Sequence, residues 1–405
     1  MNITRELLER IRHEYGSSFY ILDVEQFGQN FDELNNTFNK YYPNTRISYS
    51  YKTNYTPRLC RTVLEKGGYA EIVSDMEYKI ALKVGVPKNK VIFNGPWKEK
   101  EAVRDILLND GIVNIDSAYD FQIVKDIADQ SDHAVKIGLR INFDIHDGVT
   151  SRFGFDICDA VFKKVFEEIK NHPYLCLAGI HLHFASRNIK HWPDRAKGLI
   201  QLLNELDMKL EYFSLGGGIF GKMDESLKKQ FSEEIPTYED YAKAVCPILN
   251  DYFKAKGYLP RMYIEPGSAL VGDCMKFVAP VVSIKQVRNQ TIATLRGSIY
   301  NINPTLNTKN PPVEVFHMNG NDVSDYTDVN FGGFTCIESD YLYKGYNGKL
   351  AVNDLIMFGN VGSYSVVLKP PFILPNFPIV SVEDGDVHLV KRKETFDDLF
   401  QTYEF

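Results

Sequence analysis

The 405-residue sequence predicts an α/β protein with a TIM-type (β/α)8 barrel followed by a mostly antiparallel β-sandwich or β-barrel domain. Between about Phe27 and Gly267, eight strand-like runs alternate with helical periodicity, which is typical of parallel strands joined by crossover helices. After Gly267 the chain changes to short β-branched and aromatic runs separated by Gly, Pro and Asn turns. An open doubly wound sheet would give a similar pattern, but the count of eight favours the barrel.

The predicted barrel strands are short apolar runs. One amphipathic segment precedes the first strand, and one more follows each of the first seven strands. Several of these segments begin with helix-start signals, such as Thr56 before Pro57 and Ser117 before a periodic run. The strands are Arg46–Tyr51, Tyr69–Val73, Val91–Phe93, Ile112–Ile115, Val135–Ile141, Leu177–His183, Tyr212–Leu215 and Arg261–Ile264. The helices are Phe27–Tyr41, Pro57–Lys66, Asp75–Val84, Lys98–Leu108, Ala118–Ala128, Ala160–Asn171, Pro193–Leu206 and Thr237–Lys256.

The second domain is predicted from alternating strand-like runs with little helix between them. These runs are Val278–Val287, Thr291–Leu295, Phe331–Cys336, Asp354–Phe358 and Ile379–Glu383, and we expect the early run Phe19–Leu22 to join them. The sequence therefore divides into a barrel over residues 26–267 and a β domain over residues 1–25 and 268–405.

Composition excludes several classes of protein. Hydrophobic residues make up 44% and charged residues 24%, as in soluble globular proteins, and the net charge of −7 argues against a nucleic-acid partner. No apolar run approaches the length of a membrane span, and the first residues form a charged amphipathic stretch rather than a signal peptide. The six cysteines form no CxxC pair. We therefore expect a cytoplasmic protein with reduced thiols, no structural zinc and no membrane association.

A barrel gathers its chemistry at the carboxyl ends of the strands, and Lys52 follows the first of them in Tyr49-Ser50-Tyr51-Lys52. A lysine there points into the barrel mouth, where partial desolvation favours an amine nucleophile or a Schiff base. A solvated lysine at a strand end is the plainer alternative.

Two histidines end the sixth strand, and alternation along a strand places His181 and His183 on the same face. Such a pair could be half of a metal site, but no further His or Cys ligand is apparent at other strand ends, so no metal is predicted. His183 could instead stack on a flat cofactor, and His181 could be a satisfied core residue.

A glycine-rich turn and a carboxylate follow the last two strands. Gly216-Gly217-Gly218-Ile219-Phe220-Gly221 matches a dinucleotide fingerprint only formally; a backbone phosphate cradle or a tight turn are the alternatives. Glu265 precedes Pro266 and Gly267, and Arg140, at the end of the fifth strand, could pair with it and keep it ionised. Lysine, stacking histidine, phosphate cradle and buried carboxylate together meet the needs of pyridoxal 5′-phosphate.

Six short motifs occur in an order and spacing that resemble one family. They are YSYKTN (Tyr49–Asn54), HLHFAS (His181–Ser186), LGGGIFG (Leu215–Gly221), EPG (Glu265–Gly267), FTCIESD (Phe334–Asp340) and GSY (Gly362–Tyr364). From Ser18 to Val380 the chain resembles the fold type III pyridoxal-phosphate decarboxylases, which include diaminopimelate, ornithine and arginine decarboxylases and share their barrel with alanine racemase. The resemblance implies the same barrel and β domain.

The resemblance also implies residue roles. Lys52 would form the internal aldimine with the cofactor, His183 would stack on its ring, and Glu265 would bond the ring nitrogen. Ser186, Gly218 and Tyr364 would contact the phosphate. The other predicted cofactor contacts are Arg140, Gly217, Gly267 and Ser268.

Cys336 would be the acid that protonates Cα after CO2 leaves and a quinonoid forms, so Lys52, His183 and Cys336 are the predicted catalytic residues. In the family this cysteine usually reaches the partner subunit's site, which implies an obligate homodimer with shared active sites. The implied reaction removes the α-carboxylate of an L-amino acid, of the D-centre of a diamino acid, or of an amino-acid conjugate. The predicted substrate contacts are Tyr300, Asn303, Cys336, Glu338 and Asp340.

The chain departs from the family pattern at three places. Ser268 stands where an arginine usually follows EPG, Ile337 stands where an acid usually follows the cysteine, and Gly297–Leu306 contains no arginine before Pro304. On a strand, Glu338 one place later would face the other side. These departures favour a secondary-metabolism branch that decarboxylates modified or conjugated amino acids. An amino-acid racemase on the same fold and a non-catalytic decarboxylase-like regulator are the alternatives.

Overall fold

A computed structural model describes residues 3–318 and 323–404 of the chain. The strands are β1 Phe19–Leu22, β2 Thr45–Ser50, β3 Tyr69–Ile72, β4 Val91–Phe93, β5 Ile112–Ile115, β6 Val135–Asn142, β7 Phe155–Asp156, β8 Leu175–His181, β9 Tyr212–Ser214, β10 Arg261–Ile264, β11 Met275–Val287, β12 Gln290–Leu295, β13 Val313–Phe316, β14 Ser324–Gly332, β15 Tyr341–Leu350, β16 Leu355–Phe358, β17 Ile379–Glu383 and β18 Asp386–Lys391. The helices are α1 Arg5–Tyr15, α2 Val24–Tyr41, α3 Pro57–Glu65, α4 Asp75–Val84, α5 Lys100–Leu107, α6 Ala118–Ala128, α7 Ala160–Asn171, α8 Trp192–Leu206, α9 Glu225–Lys228, α10 Tyr238–Ala255, α11 Ser268–Val271, α12 Ile299–Ile302 and α13 Phe396–Phe400.

The chain divides into two compact units. The barrel unit comprises residues 28–221 and 236–269, and the β unit comprises residues 1–27, 222–235 and 270–405. The sequence analysis placed residues 222–235 in the barrel, but this excursion between β9 and α10 belongs to the β unit. Its Gln230 side chain explains the difference, because it donates to the carbonyl of Asn310 and accepts from the Asn310 N–H.

The barrel unit contains a closed parallel sheet. Its strands follow the order β5-β4-β3-β2-β10-β9-β8-β6, and β5 also pairs with β6, which closes the cylinder; the short β7 adds to the edge of β6. These eight strands are the eight that the sequence predicts, so the TIM-type barrel is confirmed. Because all of them run in parallel, their carboxyl ends meet at one mouth.

Large side chains fill the interior of the barrel. Tyr212 lies against Gly179 and Gly138, where a Cβ atom would collide with the tyrosine ring or hydroxyl. Its hydroxyl donates to Asn114 Oδ1 at 2.9 Å. Tyr212 also packs with Tyr263 and other apolar residues in a buried cluster. The barrel is therefore a packed core, and only its ends are accessible to a ligand.

The β unit contains a mixed but mostly antiparallel sheet, as predicted. Its order is β15-β14-β12-β11-β1-β17-β18, and β16 pairs with β11 and with β13. The predicted early strand, β1, lies antiparallel to β11 and parallel to β17. The amphipathic α1 covers this sheet, with Leu8 and Ile11 packed against Phe19 and Val278.

One predicted strand of this unit is wrong. The sequence analysis extended a strand over Phe331–Cys336, whereas β14 ends at Gly332 and the FTCIESD segment forms turns. Asp340 is the cause, because its buried carboxylate accepts hydrogen bonds from the Thr335 N–H and hydroxyl and folds the segment back on itself. The argument that Glu338 faces the other side of a strand therefore fails. No helix in the described residues is long and apolar enough to cross a membrane.

Candidate active site at the barrel mouth

Lys52 lies in a single 3-10 turn, Tyr51–Thr53, that directly follows β2. Its Nζ atom donates to Ser50 Oγ and to Glu71 Oε2, both at 2.6 Å. The Ser50 hydroxyl in turn donates to the same Glu71 oxygen. Glu71 is buried at the end of β3, whereas the Lys52 side chain is 35% exposed. The amine is therefore held in place from below and accessible from the barrel mouth.

Glu71 is also joined to Glu265, which follows β10. The bridge is Asn94, a buried residue directly after β4, whose Nδ2 donates to Glu71 Oε1 and to Glu265 Oε1, each at 3.1 Å. Asn94 Oδ1 accepts from Asn114 Nδ2 at 2.7 Å, and Asn114 accepts from the Tyr212 hydroxyl. A continuous chain of hydrogen bonds thus runs from the barrel interior to both carboxylates.

The Glu265 carboxylate is buried but well supplied with donors. Ser214 Oγ donates to Oε1 at 2.8 Å, and His181 Nε2 lies 3.0 Å from Oε2. Burial by itself would raise the pKa of Glu265, but the charge and hydrogen bond of His181 and the charge of Lys52 outweigh it and hold that pKa below its ordinary value. Glu265 is therefore ionised at neutral pH.

His183 presents an uncharged ring beside this network. The rings of His181 and His183 are nearly parallel, 8° apart with centroids separated by 6.5 Å, as the alternation argument predicts. Burial, followed by the charges of Lys52 and Arg140, lowers the pKa of His183 well below its ordinary value. Its Nδ1 accepts from the Gly217 N–H at 3.1 Å, which fixes the plane of a neutral imidazole.

The glycine loop after β9 approaches this histidine closely. Gly216 and Gly218 have φ angles of +69° and +83°, a region that favours glycine. A Cβ atom at Gly217 would lie 2.6 Å from the Glu265 carbonyl oxygen, and one at Gly267 would collide with the Thr53 hydroxyl. Glycine at these positions therefore lets the loops pack closely against each other around the mouth.

Arg140 does not pair with Glu265, which corrects the sequence-based prediction. Its Nη1 donates to Asp116 Oδ1 at 2.9 Å, and both residues are buried. Burial lowers the pKa of Arg140, while Asp116 and then Glu265 favour its charged form. Asp116 directly follows β5, next to β6 in the barrel, so the nearer carboxylate takes the ion pair.

The two remaining candidates of the barrel unit are serines, one in the loop after β8 and one at the start of α11. Ser186 Oγ accepts from the Asn188 N–H at 3.2 Å, which shapes the loop after β8. Ser268 is the first residue of α11, and its Oγ lies 3.5 Å from Arg187 Nη2.

The other candidates belong to the β unit. Cys336 and Glu338 are exposed, Tyr300 is partly exposed, and Tyr364 has a left-handed backbone with a φ of +65°. Asp340 is buried and also accepts from the Ser298 hydroxyl and the Ile299 N–H.

Asn303 is another buried member of this set. Its side chain donates to the Asn307 carbonyl and accepts from Asn307 Nδ2, both at 2.8 Å. Asp340 and Asn303 thus stabilise the loops that carry the exposed candidates.

Comparison with known proteins identifies the family. Residues 29–272, more than half of the chain, match the family model described as pyridoxal-dependent decarboxylase, pyridoxal binding domain. The chain belongs to this family. Diaminopimelate decarboxylase of Bacillus subtilis is 24% identical over 96% of this chain and 92% of its own.

Two solved decarboxylase structures share the fold. The diaminopimelate decarboxylase of M. jannaschii superposes with a TM-score of 0.86 at 21% identity, covering 98% of this chain and 94% of its own. The Helicobacter pylori enzyme complexed with L-lysine gives 0.81 at 20% identity, covering 97% and 98%. The chain is thus a pyridoxal-phosphate-dependent amino-acid decarboxylase of fold type III.

The residues at the barrel mouth fit this cofactor. Its aldehyde requires a primary amine, its ring nitrogen a carboxylate, its ring face a flat uncharged group, and its phosphate a free N–H donor. The mouth of this decarboxylase offers these in Lys52, Glu265, His183 and the Gly218 N–H, for which the described residues provide no acceptor.

Sequence reasoning missed the residues that hold these groups. Ser50, Glu71, Asn94 and Ser214 all lie at or just after the carboxyl ends of barrel strands. That position is the signal by which they could have been found, since polar residues at strand ends face the mouth of a parallel barrel.

Proposed function

We propose that this decarboxylase binds pyridoxal phosphate covalently through Lys52 and removes the α-carboxylate of an amino acid or amino-acid conjugate. The observation that carries the proposal is the network in which Asn94 joins Glu71, the partner of Lys52, to Glu265. This arrangement fixes an amine and an ionised carboxylate on one rigid support. The bound cofactor supplies an electrophilic carbon and a ring that accepts the electron pair left by departing CO2.

The side chains around it have distinct tasks. Ser50 and Glu71 orient the Lys52 amine toward the mouth and hold its charge when it is released by substrate. Glu265, kept ionised, holds a proton on the ring nitrogen, so the ring stays a good electron acceptor. The neutral His183 ring covers one face of the cofactor.

The phosphate binds at the loops after β8 and β9. Ser186, Gly217 and Gly218 contribute there, and Gly267 and Ser268 lie in the segment after β10. The family resemblance adds Tyr364 as a further proposed phosphate contact. Arg140, which is held in place by its ion pair with Asp116, is the remaining proposed cofactor contact.

We propose further that Cys336 delivers the proton to Cα. The Cα–carboxylate bond breaks, CO2 departs, and the thiol proton replaces it to give the amine. An exposed thiol on a loop suits this task, because it must reach a site outside its own segment. Tyr300 and Glu338 contact the substrate, while Asp340 and Asn303 act through the loops that they stabilise.

The substrate is an L-amino acid, or the D-centre of a diamino acid, or a conjugate of either. Relatives of similar length are diaminopimelate decarboxylases, and the Helicobacter pylori relative binds L-lysine. Because no arginine precedes Pro304 within Gly297–Leu306, we assign this chain to a branch with a modified or conjugated substrate.

Borohydride reduction of the cofactor-loaded protein, followed by peptide mapping, tests the cofactor attachment. We expect a pyridoxyl group on Lys52 and none in Lys52→Ala, which should also release no CO2 from any amino acid screened. A pyridoxyl group on another lysine, or CO2 release by Lys52→Ala, would refute the proposal.

Mixing two inactive variants tests the proposed obligate homodimer. If Cys336 serves the partner's site, Lys52→Ala mixed with Cys336→Ala after subunit exchange should recover about a quarter of the wild-type sites. Each variant alone should stay inactive. No recovery, in a preparation shown by light scattering to contain mixed dimers, would contradict shared sites.

A further inference from the structure

Arg195 is a buried cation behind the glycine loop. It lies in α8 and is 0% exposed. Its Nη1 donates to the carbonyls of Leu215 and Gly217, at 3.0 and 2.9 Å, and its Nη2 donates to those of Phe184 and Ser186, at 3.2 and 2.9 Å. One guanidinium therefore ties together the loop after β8 and the loop after β9.

This charge has no counterion in the described part of the chain. Arg195 forms no ion pair there, its Nε has no hydrogen-bond partner, and Asp147 acts on it only from a distance. Burial lowers the pKa of Arg195 to about 10, which leaves it charged at neutral pH. Its guanidinium lies 4.3 Å from the centroid of the Trp192 ring, a favourable but weaker contact.

Two other buried cations of the barrel unit, unlike Arg195, each form an ion pair with a carboxylate. Arg140 pairs with Asp116, and Lys98 pairs with Asp120 at 2.6 Å. Burying a charge is strongly unfavourable unless an opposite charge compensates it. The lack of a carboxylate at Arg195 therefore points to an anion that comes from outside the chain.

The peptide groups transmit the charge toward the barrel mouth. All peptide bonds of the described residues are trans, so the carbonyl and the N–H of one peptide point in opposite directions. The carbonyl of Gly217 points at Arg195, and hence the N–H of Gly218 points away from it. No acceptor for this N–H is found among residues 3–318 and 323–404. The guanidinium thus polarises a peptide whose free donor is available to a ligand.

We propose that Arg195 is the positioning residue for the cofactor phosphate, holding both loops in their binding conformation and supplying, through their peptide groups, the positive charge that a dianion requires. The inference rests on the proposed function, since it places the phosphate at these loops. Ser268 on the neighbouring turn is uncharged, and Arg187 beside it is exposed, so neither provides a buried positive charge.

Affinity for pyridoxal phosphate compared with pyridoxal, which carries a hydroxyl in place of the phosphate, tests the proposal. Both ligands use the same lysine, so the ratio of their dissociation constants isolates the phosphate. Arg195→Met should weaken binding of pyridoxal phosphate by about tenfold or more while changing that of pyridoxal by less than about threefold. Lys197→Met is the matched control, because it removes an exposed cation from the same helix.

Arg195→Lys keeps the charge with fewer donors, and it covers the case in which Arg195→Met does not fold. Its affinity for pyridoxal phosphate should lie between those of wild type and Arg195→Met, again with little effect on pyridoxal. Equal loss for both ligands in the folded variants would show a purely structural role and overturn the proposal, as would no loss for either. Wild-type protein that attaches pyridoxal phosphate at another lysine would instead refute the proposed function.

Discussion

Asn94→Asp is the most informative single substitution in the barrel. The side chain keeps its size but loses both hydrogens, and each of them now bonds a carboxylate, Glu71 or Glu265, at 3.1 Å. Hydrogen bonds to charged groups contribute about 1.5–3 kcal/mol each, so their combined loss costs about 3 kcal/mol or more. Asn94 is 2% exposed, and solvent cannot replace the missing donors.

The loss should depend on pH. A third carboxyl group between two carboxylates is forced to keep a proton, so its pKa in the folded state rises above its value in the unfolded chain. The folded state then binds more protons than the unfolded state above about pH 4, and the stability of the variant falls relative to wild type as the pH rises toward neutrality. Below about pH 4, only the missing hydrogen bonds lower the stability of the variant relative to wild type.

Thermal unfolding of cofactor-saturated protein between pH 5 and 8 measures both effects. Asn109→Asp is the control, because Asn109 also donates to a carboxylate, Asp105 Oδ1 at 3.2 Å, but is exposed. There the same change should cost less than about 1 kcal/mol. Equal unfolding midpoints for the two variants at pH 7, or a difference that stays constant with pH, would refute the reasoning.

Three further substitutions test contacts inside the barrel unit or inside the β unit. Gly267→Ala should lower both stability and cofactor occupancy, because the new methyl group would collide with the Thr53 hydroxyl; adding Thr53→Ala should restore part of both. Asp340→Asn should lower the unfolding midpoint of the β unit by an amount equivalent to about 2–3 kcal/mol, seen by calorimetry, whereas an unchanged midpoint would contradict its role in the loop. Tyr212→Phe should cost about 1–2 kcal/mol by leaving Asn114 short of a donor, while borohydride still fixes the cofactor on Lys52.

Elements with strong local signals were predicted from the sequence to the residue. The helices Asp75–Val84 and Ala118–Ala128 match their predicted bounds. In each, the preceding serine, Ser74 or Ser117, accepts a hydrogen bond from a first-turn N–H. The start of the helix can therefore be predicted from the local sequence. The barrel strands likewise match within about two residues, since their apolar runs are bounded by polar ones.

Features that depend on tertiary contacts were missed. The partner of Arg140 is set by which strand lies beside β6, and no local pattern reveals that Asp116 is nearer than Glu265. The FTCIESD segment has the β-branched and aromatic composition of a strand, but the buried carboxylate of Asp340 organises it as turns. Propensity is a weak guide where one buried polar group satisfies several backbone donors.

The same reasoning explains why Glu265 at the mouth stays ionised. Asn94 donates one of its two amide hydrogens to Glu265, and a protonated Glu265 would turn that hydrogen bond into a neutral and weaker one. Lys52 forms an ion pair with Glu71, and His181 Nε2 lies 3.0 Å from Glu265 Oε2, while His183 remains uncharged. Because Asn94 bonds both carboxylates, one buried side chain fixes the partner of Lys52 and Glu265 relative to each other.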